Sequence, residues 1–189
     1  VMAIIADTPM NRKVSVDVGR IHYQRWLYVG SADPDIAVAY KRNIIKSQLM
    51  ENGKALFVGA GGPIGRMHVQ AAIQAVKGPK TIVCSDVSDF RLQDLKDTFE
   101  AEAKSKGIEF ICLNPMQKEG YQKGLAQFLP GGFDNVIALA PVPVVISEAA
   151  TYVAKGGVMN VFAGVPRGKM TLLDLSDVYL KDVRYIGHS

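Results

Sequence analysis

A glycine-rich turn holds the residues of this 189-residue chain that are best suited to chemistry. The apolar run 54–58 leads directly into the seven residues 59–65, which include four glycines, and a helical pattern follows. A phosphate group needs unhindered backbone N–H groups and the positive end of a helix dipole. Glycines suit the positions where a Cβ would block its approach, so this turn is a candidate site for a diphosphate.

Each residue of the turn suits a particular task. Gly59 suits the tight turn out of the strand, and either Gly61 or Gly62 would let phosphates come close to the backbone. Pro63 fits the first helical position, and Gly65 would let the helix lie close to the strand. The last glycine follows the first by six residues, whereas G-x-G-x-x-G requires five. The turn therefore has one extra residue or follows the pattern G-x-x-G-x-x-G.

An acid after the next strand supports a dinucleotide as the ligand. Asp86 follows Gly65 by 21 residues, about where a ribose-binding carboxylate lies in dinucleotide-binding folds. Its charge would repel the 2′-phosphate of NADP, and the next residues, 87–89, include no Lys or Arg. NAD is therefore favoured, although Arg91 could stack on adenine or pair with a 2′-phosphate, so NADP is not excluded. The alternative is that Asp86 is a helix-capping or solvated turn acid.

The elements around these residues alternate between strands and helices. Short β-rich runs are predicted at Lys54–Val58, Lys80–Ser85, Ile108–Leu113, Asn135–Leu139 and Val158–Ala163. Helical spacing and end signals predict helices at Pro63–Val76, after Ser88 as N-cap up to Gly107, and at Glu119–Leu129. A fourth helix is predicted from Pro143 to Ala154, with Gly156 and Gly157 as its end signal. Right-handed crossovers between such units build an α/β fold with a doubly wound, mostly parallel sheet, which is the Rossmann fold.

Residues 1–32 resemble residues 158–189 at a constant offset of 157. Each copy is predicted to be a strand, a Pro turn, a loop and a second strand. The identical pairs are Val1/Val158, Met2/Met159, Ala6/Ala163, Pro9/Pro166, Asp17/Asp174, Tyr28/Tyr185 and Gly30/Gly187.

The repeat predicts that the chain opens inside the last strands of one α/β domain and continues through a complete second one. In this interpretation residues 1–50 comprise those closing strands and a linking helix at 34–50, packed on the main domain. Residues 51–189 then form the dinucleotide-binding domain. The alternative is two unrelated strand pairs of similar composition.

Composition excludes several other classes of protein. Apolar residues make up 48% and charged residues 21%, which is typical of a globular domain. The net charge of +4 is mild, and the basic residues are scattered rather than interleaved with aromatic ones, so no nucleic-acid surface is expected. No apolar run is long enough for a membrane span, and residues 1–15 lack a signal-peptide pattern, so we expect a cytoplasmic protein. Cys84 and Cys112 lie in strand-like runs and are expected to be free core thiols.

With these residues placed, the chain resembles the coenzyme domain of medium-chain, zinc-type alcohol and polyol dehydrogenases. The segment 59–70 is especially similar to a subgroup described as L-sorbose 1-phosphate reductase-like, and segments 133–138, 156–164 and 183–189 match as well. Residues 14–31 resemble the closing strands of the same domain, in agreement with the repeat.

The resemblance implies roles for particular residues. In similar enzymes the glycine turn meets the pyrophosphate, the acid and a nearby arginine meet the adenosine half, and the backbone after the fourth and fifth strands borders the nicotinamide. The residues of this chain at those positions are Gly59, Gly61, Gly62, Pro63 and Ile64, then Asp86 and Arg91, then Ala140, Phe162 and Ala163.

The family's zinc-binding catalytic domain has no counterpart in this sequence. Two strand cysteines and three dispersed histidines do not make an open three-ligand zinc site, so we expect zinc only in the missing domain, and this chain alone to be inactive. His22 is expected to be structural, and His68 to be a hydrogen-bonded helix histidine or to contact the cofactor phosphates or the domain cleft. His188 lies where the chain would return toward the missing parts.

The aromatic residues of the first copy suggest association. Tyr23, Trp26 and Tyr28 are expected within one strand, and their exposure would favour pairing with another chain, so a homo-oligomer is expected. Alternatively, they pack on the sheet of this same domain.

The expected function is that of an NAD(P)-binding domain of a polyol or sugar-phosphate oxidoreductase. One alternative is a non-catalytic Rossmann module used for subunit assembly, in which the extra loop residue spoils phosphate binding. Another is a methyltransferase that binds S-adenosylmethionine at the same turn, with Asp86 as its ribose acid.

Overall fold

A mostly parallel sheet of eight strands, flanked by helices, forms the core of the computed structural model, which describes residues 1–41 and 48–187. The strands are β1 Met2–Ile5, β2 Val14–Asp17, β3 Tyr28–Ser31, β4 Lys54–Val58, β5 Thr81–Ser85, β6 Glu109–Leu113, β7 Phe133–Ala138, β8 Val153–Val161, β9 Met170–Leu173 and β10 Arg184–Ile186. The helices are α1 Val18–Gln24, α2 Ile36–Lys41, α3 Pro63–Gln74, α4 Asp89–Ser105, α5 Lys118–Ala126, α6 Pro143–Ala150 and α7 Ser176–Leu180.

The order of the strands confirms the doubly wound prediction. Six strands pair in parallel in the order β6-β5-β4-β7-β8-β10. The chain adds β5 and β6 on one side of β4 and then β7, β8 and β10 on the other, so the order of the strands reverses between β4 and β7. Ligands of open α/β sheets bind outside the carboxyl ends of the strands at such a reversal. On the far side, β3 pairs antiparallel with β10, and β1 pairs parallel with β3. Strands β2 and β9 form a separate antiparallel pair.

Helices cover both faces of the sheet, which explains why its central strands are continuous apolar runs. Leu56 and Phe57, neighbours on β4, are fully buried and belong to two different apolar clusters. Successive side chains of a strand point to opposite faces, so these two clusters are the cores on either side of the sheet. One contains residues of α3 and α4, and the other contains residues of α5, α6 and α7.

The capping residues predicted for α4 are confirmed. Ser88 is the N-cap, and its side chain accepts a hydrogen bond from the Arg91 N–H at 3.3 Å. Gly107, which follows the helix, has a φ of +67°, a conformation that favours glycine. The helix therefore begins and ends where its local signals indicate.

The predicted end of α6 is wrong. The helix was expected to continue to Ala154, but it ends at Ala150, and β8 begins at Val153. Gly156, with a φ of +75°, and Gly157 lie inside β8, next to a shift of register against β7. Glycines within a strand mark such irregularities as well as helix ends, so the glycine pair was misassigned.

Residues 1–32 contain a helix that the sequence did not predict. Tyr23 and Trp26 were expected in a strand, but Tyr23 lies on α1 and Trp26 lies between α1 and β3. The Asp17 side chain caps α1 by accepting a hydrogen bond from the Arg20 N–H at 3.2 Å. An acidic N-cap that directly follows a strand is a weak sequence signal for a helix of only seven residues.

The predicted linking helix at 34–50 is described in part. Its first portion is α2, and residues 48–50 are not helical, whereas residues 42–47 lie outside the described part of the chain. The two cysteines are free thiols, as expected, and they face each other in register across β5 and β6. Burial raises the pKa of the Cys84 thiol. In the described residues, no helix is long and apolar enough to cross a membrane.

We predict a large loss of stability when a large side chain is removed from the core that packs against α3 and α4. Phe57→Ala should lower the free energy of unfolding by about 3–5 kcal/mol, because it removes a ring that is 1% exposed from a packed core. Phe90→Ala is the matched control, since that ring is 82% exposed. Chemical denaturation measures both variants, and equal losses would contradict this account of the core.

Candidate functional site

The glycine turn after β4 is held against the neighbouring strand β5. The backbone N–H groups of Gly59 and Ala60 both donate to the Ser85 carbonyl oxygen, at 2.8 and 3.0 Å. Gly59 has a φ of +84°, and a Cβ on it would lie 2.8 Å from the Ala140 backbone nitrogen. Only glycine allows the turn to pass this closely under the loop that follows β7.

The last glycine of the turn brings α3 onto the turn itself. A Cβ on Gly65 would lie 2.6 Å from the Ala60 carbonyl carbon, so this position has no room for a side chain. Gly65 is therefore closely packed, but against the turn rather than against the strand as predicted.

Gly62 is the open position of the turn. It is the N-cap of α3, with a φ of −74°, and a Cβ there would have no atom within 4 Å. Gly61, by contrast, is covered, since a Cβ on it would lie 2.6 Å from the Arg91 Cβ and 2.8 Å from Asp86 Oδ2. The sequence left Gly61 and Gly62 as alternatives for the approach of phosphates, and the geometry favours Gly62. Open space at Gly62 and close packing at Gly59 and Gly65 correspond to the pattern G-x-x-G-x-x-G.

Asp86 joins the turn to the end of β5. Its carboxylate accepts hydrogen bonds from the Gly61 N–H at 2.9 Å and from the Ser88 N–H at 3.1 Å. The residue is 7% exposed, so it is not a solvated acid, and the helix cap of α4 is Ser88. A carboxylate has about four acceptor positions, so two remain for a ligand.

A cleft of about 350 Å³ lies at the carboxyl ends of β4, β5 and β7. Five of the ten residues expected to bind cofactor line it, namely Gly59, Gly62, Asp86, Arg91 and Ala140. Pro63 and Ile64 form the first turn of α3 beside it, and Ile64 is 48% exposed. The cleft therefore combines an open helix N-terminus with a buried acid.

Phe162 and Ala163 are not among the residues that line this cleft. Both of their N–H groups donate to the Ala138 carbonyl oxygen, and Ala163 is 3% exposed. Phe162 lines a second cleft of about 660 Å³ on the other face of the sheet, where its ring lies 4.5 Å from that of His68. His68 Nδ1 lies 2.9 Å from the Ile64 carbonyl oxygen, as expected of a hydrogen-bonded helix histidine.

Three further residues that the sequence did not single out, Tyr121, Glu148 and Tyr152, line one wall of the first cleft. Tyr152 donates to Glu148 Oε1 at 2.7 Å, and Tyr121 of α5 lies in the same wall. Burial raises the pKa of both tyrosines, and the bond to Glu148 raises that of Tyr152 further, so both are neutral at pH 7. The spacing of Glu148 and Tyr152, four residues apart at the end of a helix, was the one available signal.

The charges of the cleft come mainly from acids. Among the described residues that line it, Asp86 and Glu148 are the two carboxylates and Arg91 is the one cation. Besides Arg91, the backbone N–H groups at the start of α3, where no side chain caps the helix, are a source of positive potential in the cleft.

The described residues do not contain a metal site. Within residues 1–41 and 48–187, no three His, Cys, Asp or Glu side chains are grouped so that they could hold a metal ion. These residues therefore do not fit the catalytic zinc of the family that the sequence resembles.

Known proteins with similar sequences include sugar-phosphate enzymes. No family model matches the chain. It is 32% identical over 114 residues to the uncharacterized protein YggP of Escherichia coli, and 30% identical over 120 residues to mannitol-1-phosphate 5-dehydrogenase of Aliivibrio fischeri. It is 24% identical over 139 residues to L-sorbose 1-phosphate reductase of Klebsiella pneumoniae. These matches cover 59, 61 and 72% of this chain but only 27, 28 and 33% of the relatives.

Solved structures share the fold. A 2R,3R-butanediol dehydrogenase from Bacillus subtilis matches with a TM-score of 0.58 and 21% identity, over 76% of this chain and 36% of that one. The chain resembles the coenzyme-binding domain of zinc-type medium-chain dehydrogenases. Two further solved structures with this fold contain a cofactor. One is a zinc-binding dehydrogenase from Sinorhizobium meliloti bound to NADP, which matches with a TM-score of 0.60 and 20% identity over 75% of this chain and 38% of that one. The other is a short chain alcohol dehydrogenase from Escherichia coli with NADH, which matches with a TM-score of 0.57 and 21% identity over 74% of this chain and 37% of that one.

Two glycine variants should distinguish the closely packed positions of the glycine turn from its open position. Gly65→Ala should lower the stability by about 1–3 kcal/mol, because its methyl group would overlap the Ala60 backbone. Gly62→Ala should leave the melting temperature nearly unchanged, since its methyl group would enter open space. Thermal unfolding measures both, and a Gly62→Ala variant as unstable as Gly65→Ala would show that this turn is packed differently.

Proposed function

We propose that this chain binds a nicotinamide dinucleotide in the cleft between Gly62 and Asp86, with NAD preferred over NADP. We further propose that it forms part of a polyol or sugar-phosphate oxidoreductase. The observation that carries the proposal is that Gly62 and Asp86 line one cleft, at the point where the strand order reverses.

The start of α3 is suited to the pyrophosphate. Gly62 has open space where other residues have a Cβ, and the helix behind it has twelve residues and no side-chain cap. Its unpaired N–H groups and its dipole would stabilise the two negative charges of a diphosphate. The extra residue of the turn does not disturb this arrangement, since Ala60 and Gly61 are both held by hydrogen bonds to the end of β5 and the residue after it.

Asp86 is suited to the ribose of the adenosine half. Its two amide bonds hold the carboxylate at the edge of the cleft and leave acceptor positions for two ribose hydroxyl groups. A 2′-phosphate would meet the same negative charge at close range, which favours NAD. Arg91 lies at the rim, where its guanidinium could stack on the adenine.

The loop after β7 would border the nicotinamide, whose C4 carries the hydride when the cofactor is bound. Ala140 lies against Gly59 and lines the cleft, as the family resemblance implies. We include Phe162 and Ala163 in the proposal on that resemblance alone, because in this structure they do not line the cleft.

The sugar-phosphate substrate is proposed from the relatives. Two of them are named for reactions of mannitol 1-phosphate and L-sorbose 1-phosphate, and the chain spans about a third of their length. We therefore propose that the catalytic zinc and the substrate pocket belong to a domain outside these residues. The cytoplasmic location and the homo-oligomer remain predictions from the sequence.

Calorimetric titration of the chain with NAD, NADP and S-adenosylmethionine tests the proposal. Saturable binding of NAD, tighter than that of NADP, is the expected result. Binding of S-adenosylmethionine alone would favour a methyltransferase, and binding of none of the three would favour a non-catalytic module.

Gly62→Ala should weaken the binding of NAD at least about tenfold, or ~1.4 kcal/mol, because the new methyl group would stand where a phosphate must approach. Gly120→Ala is the matched control. Gly120 also has no atom within 4 Å of a Cβ, but it lies on the exposed side of α5. Equal affinities of the two variants for NAD would indicate that the phosphates do not approach the backbone at Gly62.

Asp86→Ser should weaken the binding of NAD and reduce the preference for NAD over NADP. The serine can still bond to a ribose hydroxyl but removes the negative charge that opposes a 2′-phosphate. Calorimetry with both cofactors gives the ratio of the two dissociation constants. An unchanged ratio would mean that Asp86 does not face the adenosine ribose.

A further inference from the structure

Two free thiols lie opposite each other on the outer strands of the sheet. Cys84 of β5 and Cys112 of β6 are in-register neighbours on two parallel strands. Cys84 belongs to the apolar core that packs against α3 and α4, and Cys112 packs against the same core, so both side chains point to one face of the sheet. Neither residue lines the cleft proposed for the cofactor.

The strand pairing brings the two backbones within the range of a disulfide. Paired strands lie about 4.8 Å apart, and a disulfide joins Cα atoms that are roughly 4.4–6.8 Å apart. In-register side chains of a parallel pair keep about the strand spacing at Cβ, which is longer than the ~3.8 Å that a disulfide prefers. A bond between Cys84 and Cys112 therefore requires the two strands to approach each other by about 1 Å.

Strand β6 can make this movement more easily than an inner strand. Within the described residues it is the last strand on its side of the sheet and pairs with β5. Its residues Phe110–Leu113 are half-buried, whereas every residue of β5 is buried. A disulfide formed with some strain is also more readily reduced, so the bond would be reversible.

The two sulfurs differ in reactivity. Cys112 is half-buried, and Cys84 is fully buried. The interaction with the Cys84 thiol lowers the pKa of Cys112, and Lys96 of α4 also lowers it, whereas burial and Glu100 raise it. Burial raises the pKa of Cys84. Cys112 is therefore the thiol that an oxidant meets first, and Cys84 is the second thiol.

The ends of the two strands connect the thiol pair to Asp86. Asp86 follows Cys84 by two residues, and its N–H donates at 3.4 Å to the carbonyl oxygen of Leu113, the residue after Cys112. The Asp86 carboxylate in turn accepts from the Gly61 N–H at 2.9 Å. A movement of β6 towards β5 at the cysteines would therefore shift Asp86 relative to the glycine turn.

We infer that Cys84 and Cys112 form a reversible disulfide within one chain on mild oxidation, and that this bond weakens the binding of the dinucleotide by displacing Asp86. The second part rests on the proposed function, whereas the first does not. In reducing compartments, disulfides of this kind are transient and act as redox sensors.

The reaction balances with a peroxide as the oxidant. The Cys112 thiolate attacks one peroxide oxygen, the O–O bond breaks, and the leaving hydroxide takes up the thiol proton to become water. The Cys84 sulfur then attacks the sulfenic acid sulfur of Cys112, the S–O bond breaks, and a second water leaves with the Cys84 proton. Two thiols are thereby oxidised to one disulfide, and the peroxide is reduced to two water molecules.

Thiol counting in the full chain tests the disulfide. The chain has two cysteines, so a disulfide within one chain can join only Cys84 and Cys112. After treatment with hydrogen peroxide, a thiol reagent added to the denatured chain should find no free thiol. The chain should keep its monomer mass of 20.5 kDa on a non-reducing gel. Dithiothreitol should restore both thiols.

Two single variants test the order of the steps. Cys84→Ala should stop at the sulfenic acid of Cys112, which dimedone traps as an adduct that mass spectrometry detects. Cys112→Ser should keep a free thiol at Cys84, because that sulfur is buried. Alanine keeps the buried position apolar and serine suits the half-buried one, so both variants should fold. The thiol count of the unchanged chain does not depend on either variant.

Calorimetry with NAD tests the link to the site. The oxidised chain should bind NAD about tenfold more weakly than the reduced chain, which corresponds to the loss of one hydrogen bond to a charged group. Reduction should restore the affinity. The double variant Cys84→Ala with Cys112→Ser is the matched control for oxidation of the seven methionines, and peroxide should leave its affinity unchanged.

Hydrogen exchange at the Gly61 amide gives a measurement without cofactor. It should become faster when the disulfide forms, because the bond from this amide to Asp86 weakens. The double variant should show no such change after the same treatment.

The outcomes separate the inference from the proposed function. Two free thiols after oxidation, a lasting sulfenic acid, or disulfides only between chains would overturn the inference, whatever the chain binds. Equal NAD affinity of the two states with unchanged exchange at Gly61 would overturn the link between the disulfide and the site. A chain that binds no NAD in either state would overturn the proposed function, whereas loss of both thiols with faster exchange at Gly61 would still support the disulfide and its effect on Asp86.

Discussion

The hydrogen bond between the Asp86 carboxylate and the Gly61 N–H is the contact on which the arrangement of the site depends. It joins the turn after β4 to the residue after β5, and the Ser85 carbonyl reinforces it by accepting from Gly59 and Ala60. With its first three residues held in this way, the turn reaches α3 with Gly62 facing the cleft. In the proposed function, one carboxylate would thus both position the turn that binds phosphate and oppose the 2′-phosphate of NADP. The two roles are compatible because each oxygen has a free acceptor position.

The sequence predicted the central sheet well and its outer parts poorly. Strands such as β4 and β5 are buried on both faces, so they are continuous apolar runs between turn residues, and local pattern was sufficient to find them. Helix α1 depends on contacts with β8, β9 and β10, more than a hundred residues away, and its seven residues have no pattern of their own strong enough to predict it. The glycine pair 156–157 was misassigned because a turn and a strand irregularity use the same residue type.

The candidate site was predictable where backbone conformation requires a residue type. Gly59 and Gly65 are such positions, because turns and close packing leave no room for a Cβ. The choice between Gly61 and Gly62 needed the structure, since it depends on Arg91 and Asp86, which cover one and not the other. Tyr121 and Tyr152 reach the cleft through the packing of α5 and α6 on the sheet, and nothing local distinguishes them from other core aromatics.

The repeat shows how sequence and structure carry different information. Seven identities at a constant offset indicated common origin, but a repeat can be stacked, separated or paired, and the sequence did not distinguish these arrangements. The paired arrangement follows from the edge of the sheet. Strand β10 has backbone groups that require a partner, and a copy of the same segment offers matching strand spacing, an equivalent helix and an equivalent glycine. Equivalent strands of the two copies therefore satisfy each other's backbone groups in this contact.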